Sequence, residues 1–204
     1  MELKSTSGLV TIEELIEIVP SFPCIAVTGP ERSGTTITTE MICSSTGYTN
    51  VSEETWDNSF ESLWALLRER DRIVVHAPHL TFRVHEIDRH CPDRALVVFV
   101  LRAIGDIVAS QRTTHWGSRS EHCPDDGDPK GWGNPASRWY DAVSYELFRD
   151  EIDPEAHLCL NRQRCWHRHQ KQRVANYVEV EYERLRTHPL WLEPEERRRR
   201  ETSA

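Results

Sequence analysis

The segment Ile25-Ala26-Val27-Thr28-Gly29-Pro30-Glu31-Arg32-Ser33-Gly34-Thr35-Thr36 runs from an apolar stretch, through two glycines, into a threonine-rich stretch. This is the pattern of a strand that turns through a Gly-framed loop and opens a helix. Such a loop aims backbone N–H groups at one spot, and the helix N-terminus adds partial positive charge there, so an anion is held without a metal. Gly29 and Gly34 stand at the spacing of the nucleotide-binding pattern G-x-x-x-x-G-K-[ST], with Thr35 in the place of the lysine. The chain's lysines are Lys4, Lys130 and Lys171, which leaves Arg32 as the local cation. In ATP-dependent transfer the absent lysine is the group that reaches the β- and γ-phosphates. No magnesium carboxylate follows a later strand either, since Arg102 succeeds Leu101 and His76 succeeds Val75.

A second cluster agrees with the first. The apolar run Val98-Phe99-Val100-Leu101 ends in Arg102, with Asp106 four residues on and Ser110 eight residues on. An Arg at the C-terminal edge of a strand and a Ser one or two helical turns later can meet in the crevice where open α/β sheets bind ligands. The planar donor fork of Arg suits phosphate. His76 and His79 follow a further apolar run and come to the same sheet edge.

Gly29-Pro30-Glu31-Arg32-Ser33-Gly34-Thr35-Thr36 resembles the 5′-phosphosulfate loop of the P-loop sulfotransferase superfamily, whose loops read [KR]-S-G-T-T and dispense with the lysine. Arg102 through Ser110 is similar to that family's strand-end Arg, with Asp four and Ser eight residues later. The resemblance implies that Arg32, Ser33, Gly34, Thr35 and Thr36 bind the 5′-phosphosulfate of 3′-phosphoadenosine 5′-phosphosulfate (PAPS), and that Arg102 and Ser110 hold its 3′-phosphate. It implies sulfuryl transfer without a metal to a hydroxyl or amine.

Ser52-Glu53-Glu54-Thr55 resembles the base-bearing segment of the tyrosylprotein branch, which makes Glu53 the preferred base for the acceptor proton. The lysine of the family's Lys-x-Pro segment falls on His76, a departure, because His is cationic only near or below its ordinary pKa of about 6.5. His79 resembles instead the catalytic His of the cytosolic branch, so the choice of base between Glu53 and His79 stays open. Val178 to Leu185, followed by His188-Pro189, resembles the late strand and Tyr-Glu-x-Leu turn of the family, which bears on fold and not on chemistry. No Arg-Lys-Gly loop is recognisable. An ATP-dependent small-molecule kinase and a catalytically inactive nucleotide-binding protein are the alternatives.

The elements that must position these residues follow from short apolar runs alternating with helical stretches, the pattern of a parallel sheet covered on both faces. Strands are expected at Cys24–Thr28, Ile73–Ala77, Ala95–Leu101 and Tyr177–Glu181, with a weak one at Tyr48–Val51. Helices are expected at Thr11–Ile18, Thr35–Ser45, Ser59–Arg70, Thr81–His90 and Ile104–Arg112. Residues 113–135, rich in Gly, Pro, Asp and Trp, read as a long loop, and loops of that length are usually functional or disordered. Trp116 and Trp132, with Glu121, Asp125, Asp126 and Asp128, suit a sugar, a cation or a basic peptide as acceptor without choosing among them. Ala136–Ile152 and Glu155–Ala175 make the C-terminal half more helical, and residues 193–204 read as a solvated end. The fold class is α/β, a P-loop-type parallel sheet flanked by helices, as one domain over residues 1–204 with its core at about 23–189.

Composition sets outer bounds. At 204 residues the chain suits one domain. A net charge of −8 argues against affinity won by neutralising many phosphates, so nucleic acid is not the expected partner. The longest nearly unbroken apolar run, Ala95–Leu101, falls far short of a membrane span, and Met1–Gly8 lacks the apolar region of a secretory signal. Six cysteines without a C-x-x-C pair suit a reduced compartment, so a cytoplasmic location is expected. Cys159, Cys165, His167 and His169 match the spacing of no standard closed zinc site. The expected partner is a small-molecule, glycan or peptide acceptor.

Overall fold

Continuous apolar runs become strands here because both faces of the sheet are covered. The computed structural model describes residues 7–30, 32–52, 55, 59–113, 163, 165–192 and 196, with backbone alone at 79, 82, 108 and 111–113. The strands are β1 (Cys24–Thr28), β2 (Thr49–Val51), β3 (Ile73–His76), β4 (Ala95–Leu101) and β5 (Tyr177–Glu181). They form one five-stranded sheet in the order β2-β3-β1-β4-β5. Every pairing is parallel, with Ala26 level with Val75 on one side and Val97 on the other.

Period-2 alternation sorts each strand's side chains onto two cores. Cys24, Ala26, Ile73, Val75, Ala95, Val97 and Phe99 face α3 (Phe60–Glu69) and α4 (Ile87–His90), through Leu63, Trp64, Leu67 and Ile87. Ile25, Val27, Val74, Leu96, Val98, Val100, Val178 and Val180 face α1 (Ile12–Ile18) and α2 (Thr35–Thr46), through Ile12, Leu15, Ile37, Met41 and Ile42. Burying one such side chain contributes about 1.5–3 kcal/mol, so the two apolar layers supply the main drive for closing the sheet between its helices.

Local signals set the helix ends. Thr11 Oγ1 accepts from the Glu14 N–H at 3.2 Å while Glu14 Oε2 accepts from the Thr11 N–H at 2.8 Å, a reciprocal cap that starts α1. Ser59 Oγ accepts from the Ser62 N–H at 3.1 Å and starts α3. The start of α2 is different, since Gly34 offers its first turn no side-chain acceptor.

The helix expected over Thr81–His90 is broken. Pro78–Phe82 and Val84–Glu86 are 3-10 turns, and α-helix begins only at Ile87. Thr81 Oγ1 donates back to the Pro78 carbonyl at 2.7 Å and lies 3.1 Å from Thr28 Oγ1, which pins the first turn to the end of β1. Arg83 then leaves helical geometry at φ −124°, ψ 14°. Near the other end, Cys165 leads into a π-helical turn, Trp166–Gln170, and a 3-10 turn, Lys171–Arg173, so helix ends before the expected Ala175. Trp166 stacks on Phe99 at 4.4 Å and donates its indole N–H to Glu179 at 2.7 Å, bringing this segment against β4 and β5. Within it His167 Nδ1 lies 3.6 Å from Glu179 Oε1, and Gln170 donates to Cys165 Sγ at 3.6 Å. Beyond Thr113, the expected loop to 135 lies outside the described residues, as do Ala136–Ile152 and, Glu196 apart, 193–204.

Candidate anion-binding site

From β1 the chain crosses toward β2 on one side, and after β3 it returns on the far side of β1 as β4. The carboxyl ends of β1 and β4 therefore flank a topological switch point, where open α/β sheets carry their ligand crevice. α5 (Ile104–Thr113) follows β4 and brings Ser110 back to that crevice. Four strand ends supply the residues.

The loop after β1 has φ of 148° at Gly29, 68° at Arg32 and 104° at Gly34. Positive φ recurring in a short loop is a backbone feature of anion-accepting concavities, and here the Ser33 N–H closes the turn onto the Pro30 carbonyl at 3.0 Å. Glycine is required at both ends of it. A Cβ on Gly29 would lie 2.8 Å from the Val100 carbonyl oxygen and 2.9 Å from Ser33 Oγ. A Cβ on Gly34 would collide with the ring of Tyr182. The uncapped first turn of α2 opens directly from this loop, with Thr35 buried and Thr36 exposed.

Sequence expectation and geometry meet most closely at Arg102. Its Nη1 donates to the Arg32 carbonyl at 2.9 Å, and Arg32 Nε donates to Ser110 Oγ at 3.2 Å. Arg32, Arg102 and Ser110 are thus joined across the crevice between β1 and β4. Ser33 Oγ and Arg102 Nε are buried there without a hydrogen-bond partner. An unsatisfied buried polar group costs about 1–3 kcal/mol, and both such side-chain atoms found among the described residues belong to these two residues.

At the end of β3, His76 Nε2 and Thr35 Oγ1 share a hydrogen bond at 2.8 Å. Burial pushes the His76 pKa down to about 4, so the imidazole is neutral at neutral pH. The conditional cation expected at this position is therefore uncharged here, and its geometry suits orienting the Thr35 hydroxyl. His79 lies in the 3-10 turn Pro78–Phe82, with its side chain outside the described atoms. Glu53 is also outside them. Its neighbours Ser52 and Thr55 close a turn just past β2, the Thr55 N–H donating to the Ser52 carbonyl at 3.0 Å.

Tyr182 was not among the residues expected to serve the site. It follows β5 directly, its ring abuts Gly34, and the Arg102 guanidinium lies over it at 4.1 Å from the centroid. Its position at the end of a strand adjacent to β4, like that of Arg102 itself, was the available signal. Gln163 also reaches the crevice's rim, donating to the Arg102 carbonyl at 2.8 Å.

Among the described residues no helix is long and apolar enough to cross a membrane. No protein-family model matches the chain, and no curated protein matches it by sequence. Among solved structures it is similar to the crystal structure of a “putative kinase” from Chloroflexus aurantiacus J-10-fl, at 13% identity and a TM-score of 0.38 over 90% of this chain and 97% of that one. A likeness this distant bears on neither activity nor substrate.

Proposed function

We propose that this chain is a sulfotransferase that uses PAPS as donor and a hydroxyl or amine as acceptor. The observation that carries the reading is the pair of buried, unpartnered polar atoms, Ser33 Oγ and Arg102 Nε, in a crevice already lined by Arg32 and Ser110. These residues fit an anion with phosphate groups at two places. The loop N–H groups, Arg32, Ser33, Thr35 and Thr36 suit the 5′-phosphosulfate, and Arg102 and Ser110 suit the 3′-phosphate. When bound, PAPS supplies an activated sulfuryl group for in-line transfer.

The chain's own residues have separate tasks in this reading. Glu53 takes the acceptor proton, with His79 the competing base. His76, neutral, holds the Thr35 hydroxyl in orientation rather than contributing positive charge. Charge stabilisation at the transferring group falls to Arg32 and the positive end of α2.

Calorimetry with 3′-phosphoadenosine 5′-phosphate and AMP tests the assignment. The bisphosphate should bind at least tenfold more tightly, as expected for one additional charge-assisted contact worth about 1.5–3 kcal/mol. Equal affinity overturns the donor. Turnover with ATP and magnesium but not with PAPS identifies a kinase, and tight binding without turnover identifies an inactive nucleotide-binding protein.

A further inference from the structure

We infer that Tyr182 is the positioning residue of this site, a ring that sets both the anion loop and the Arg102 guanidinium while consuming none of their donors. The inference rests on the donor reading above and adds a residue to it. Tyr182 is buried, 9% exposed, at the first position after β5. Its ring fills the space that any side chain at position 34 would need, so it abuts the backbone where the loop turns into α2. The same ring lies under the Arg102 guanidinium at 4.1 Å. The Trp191 ring packs edge-on to it at 5.1 Å and 63°, which holds the platform from behind.

The physical reason for a ring lies in what an arginine must keep. A carboxylate partner would orient Arg102 equally well, but it would occupy N–H groups and cancel the charge needed for a phosphate. A π face attracts the cation through its quadrupole and leaves the N–H edge unspent. Arg102 accordingly has one donor on the Arg32 carbonyl and its Nε without a partner. Because one ring touches both arms, a change in it moves the loop and the guanidinium together.

The test compares Tyr182→Leu and Tyr182→Phe with the parent chain, using inorganic pyrophosphate and 3′-phosphoadenosine 5′-phosphate as probes in calorimetry. Tyr182→Leu should weaken both by about tenfold, the worth of a partly desolvated cation–π contact, and Tyr182→Phe should restore them. Wild-type affinity in Tyr182→Leu, or no rescue by Tyr182→Phe, overturns the inference. A second measurement needs no variant. In the wild-type nitrogen-proton spectrum, the Arg102 Nε–H should resonate upfield of free arginine and move when pyrophosphate is added. An unshifted or unresponsive resonance also overturns it. If the parent binds pyrophosphate but not the bisphosphate nucleotide, the donor reading fails while the Tyr182 test still runs on pyrophosphate. If it binds neither, both fail.

Discussion

Two arginines bracket β4, and they are spent in opposite ways. Arg94, at its amino end, donates Nε to the Leu67 carbonyl at 3.2 Å and Nη2 to the Arg70 carbonyl at 3.1 Å and to Asp71 at 2.5 Å. Cys24 Sγ donates to the same two carbonyls at 3.2 and 3.0 Å, so the end of α3 is stitched to the sheet. Arg102, at the carboxyl end, spends Nη1 on the Arg32 carbonyl at 2.9 Å, lies over a ring and keeps a buried Nε without a partner. The amino edge of the sheet satisfies its own polar groups, whereas the carboxyl edge keeps donors in reserve. A fold tolerates that cost where a ligand supplies the missing partner.

The sharpest way to break this contrast is at the chemistry. If the carboxyl edge is catalytic, Glu53→Gln should lower kcat by about 10² to 10⁴, as loss of a general base does, with donor affinity unchanged. His79→Ala should then be mild. The reverse ranking in steady-state kinetics would assign the base to His79. Near-normal turnover in both variants would remove the base from this edge altogether.

Acid stability reads the same edge without a substrate. The folded His76 pKa of about 4 lies below its ordinary value, so protonation favours the unfolded chain. Its contribution is complete above pH ~6.5 and is lost as pH falls toward ~4, by roughly 3 kcal/mol in all. Urea unfolding at pH 7 and at pH 4.5 should show most of that loss in the wild type and much less of it in His76→Gln. Equal pH dependence in the two proteins would mean that His76 is hydrated in solution.

The smallest effect distinguishes the two arginines directly. Arg102→Ala should lose about 1.5–3 kcal/mol of affinity for 3′-phosphoadenosine 5′-phosphate while melting near the wild type. Arg94→Ala should do the opposite, binding normally and losing about 1 kcal/mol of stability, a figure discounted for its partial exposure. Calorimetry and thermal melts on both variants decide it. Loss of binding in Arg94→Ala with none in Arg102→Ala would invert the assignment of the two edges.

Much of the frame was legible from residue order alone. Strands buried on both faces leave unbroken apolar runs, so β1, β4 and β5 fall at their expected residues, and β3 ends one residue early at His76. Caps at Thr11 and Ser59 and the glycines around the anion loop are equally local signals. The helix over Thr81–His90 failed because its competitor was remote. The Thr81 hydroxyl meets Thr28 and the Pro78 carbonyl, and no periodicity in the segment itself encodes that contact.

The site divides along the same line. Residue types and spacing by themselves determined a Gly-framed loop after one strand and an Arg/Ser pair after another, because backbone geometry and helical period are short-range properties. Tertiary structure alone decided that Arg102 meets the Arg32 carbonyl, that His76 is buried enough to stay neutral, and that a tyrosine after β5 supports both arms. Those outcomes depend on strand order, and strand order is settled by packing between residues far apart in the chain. Desolvation and ring stacking act only once such residues are brought together, so they leave no mark on local spacing.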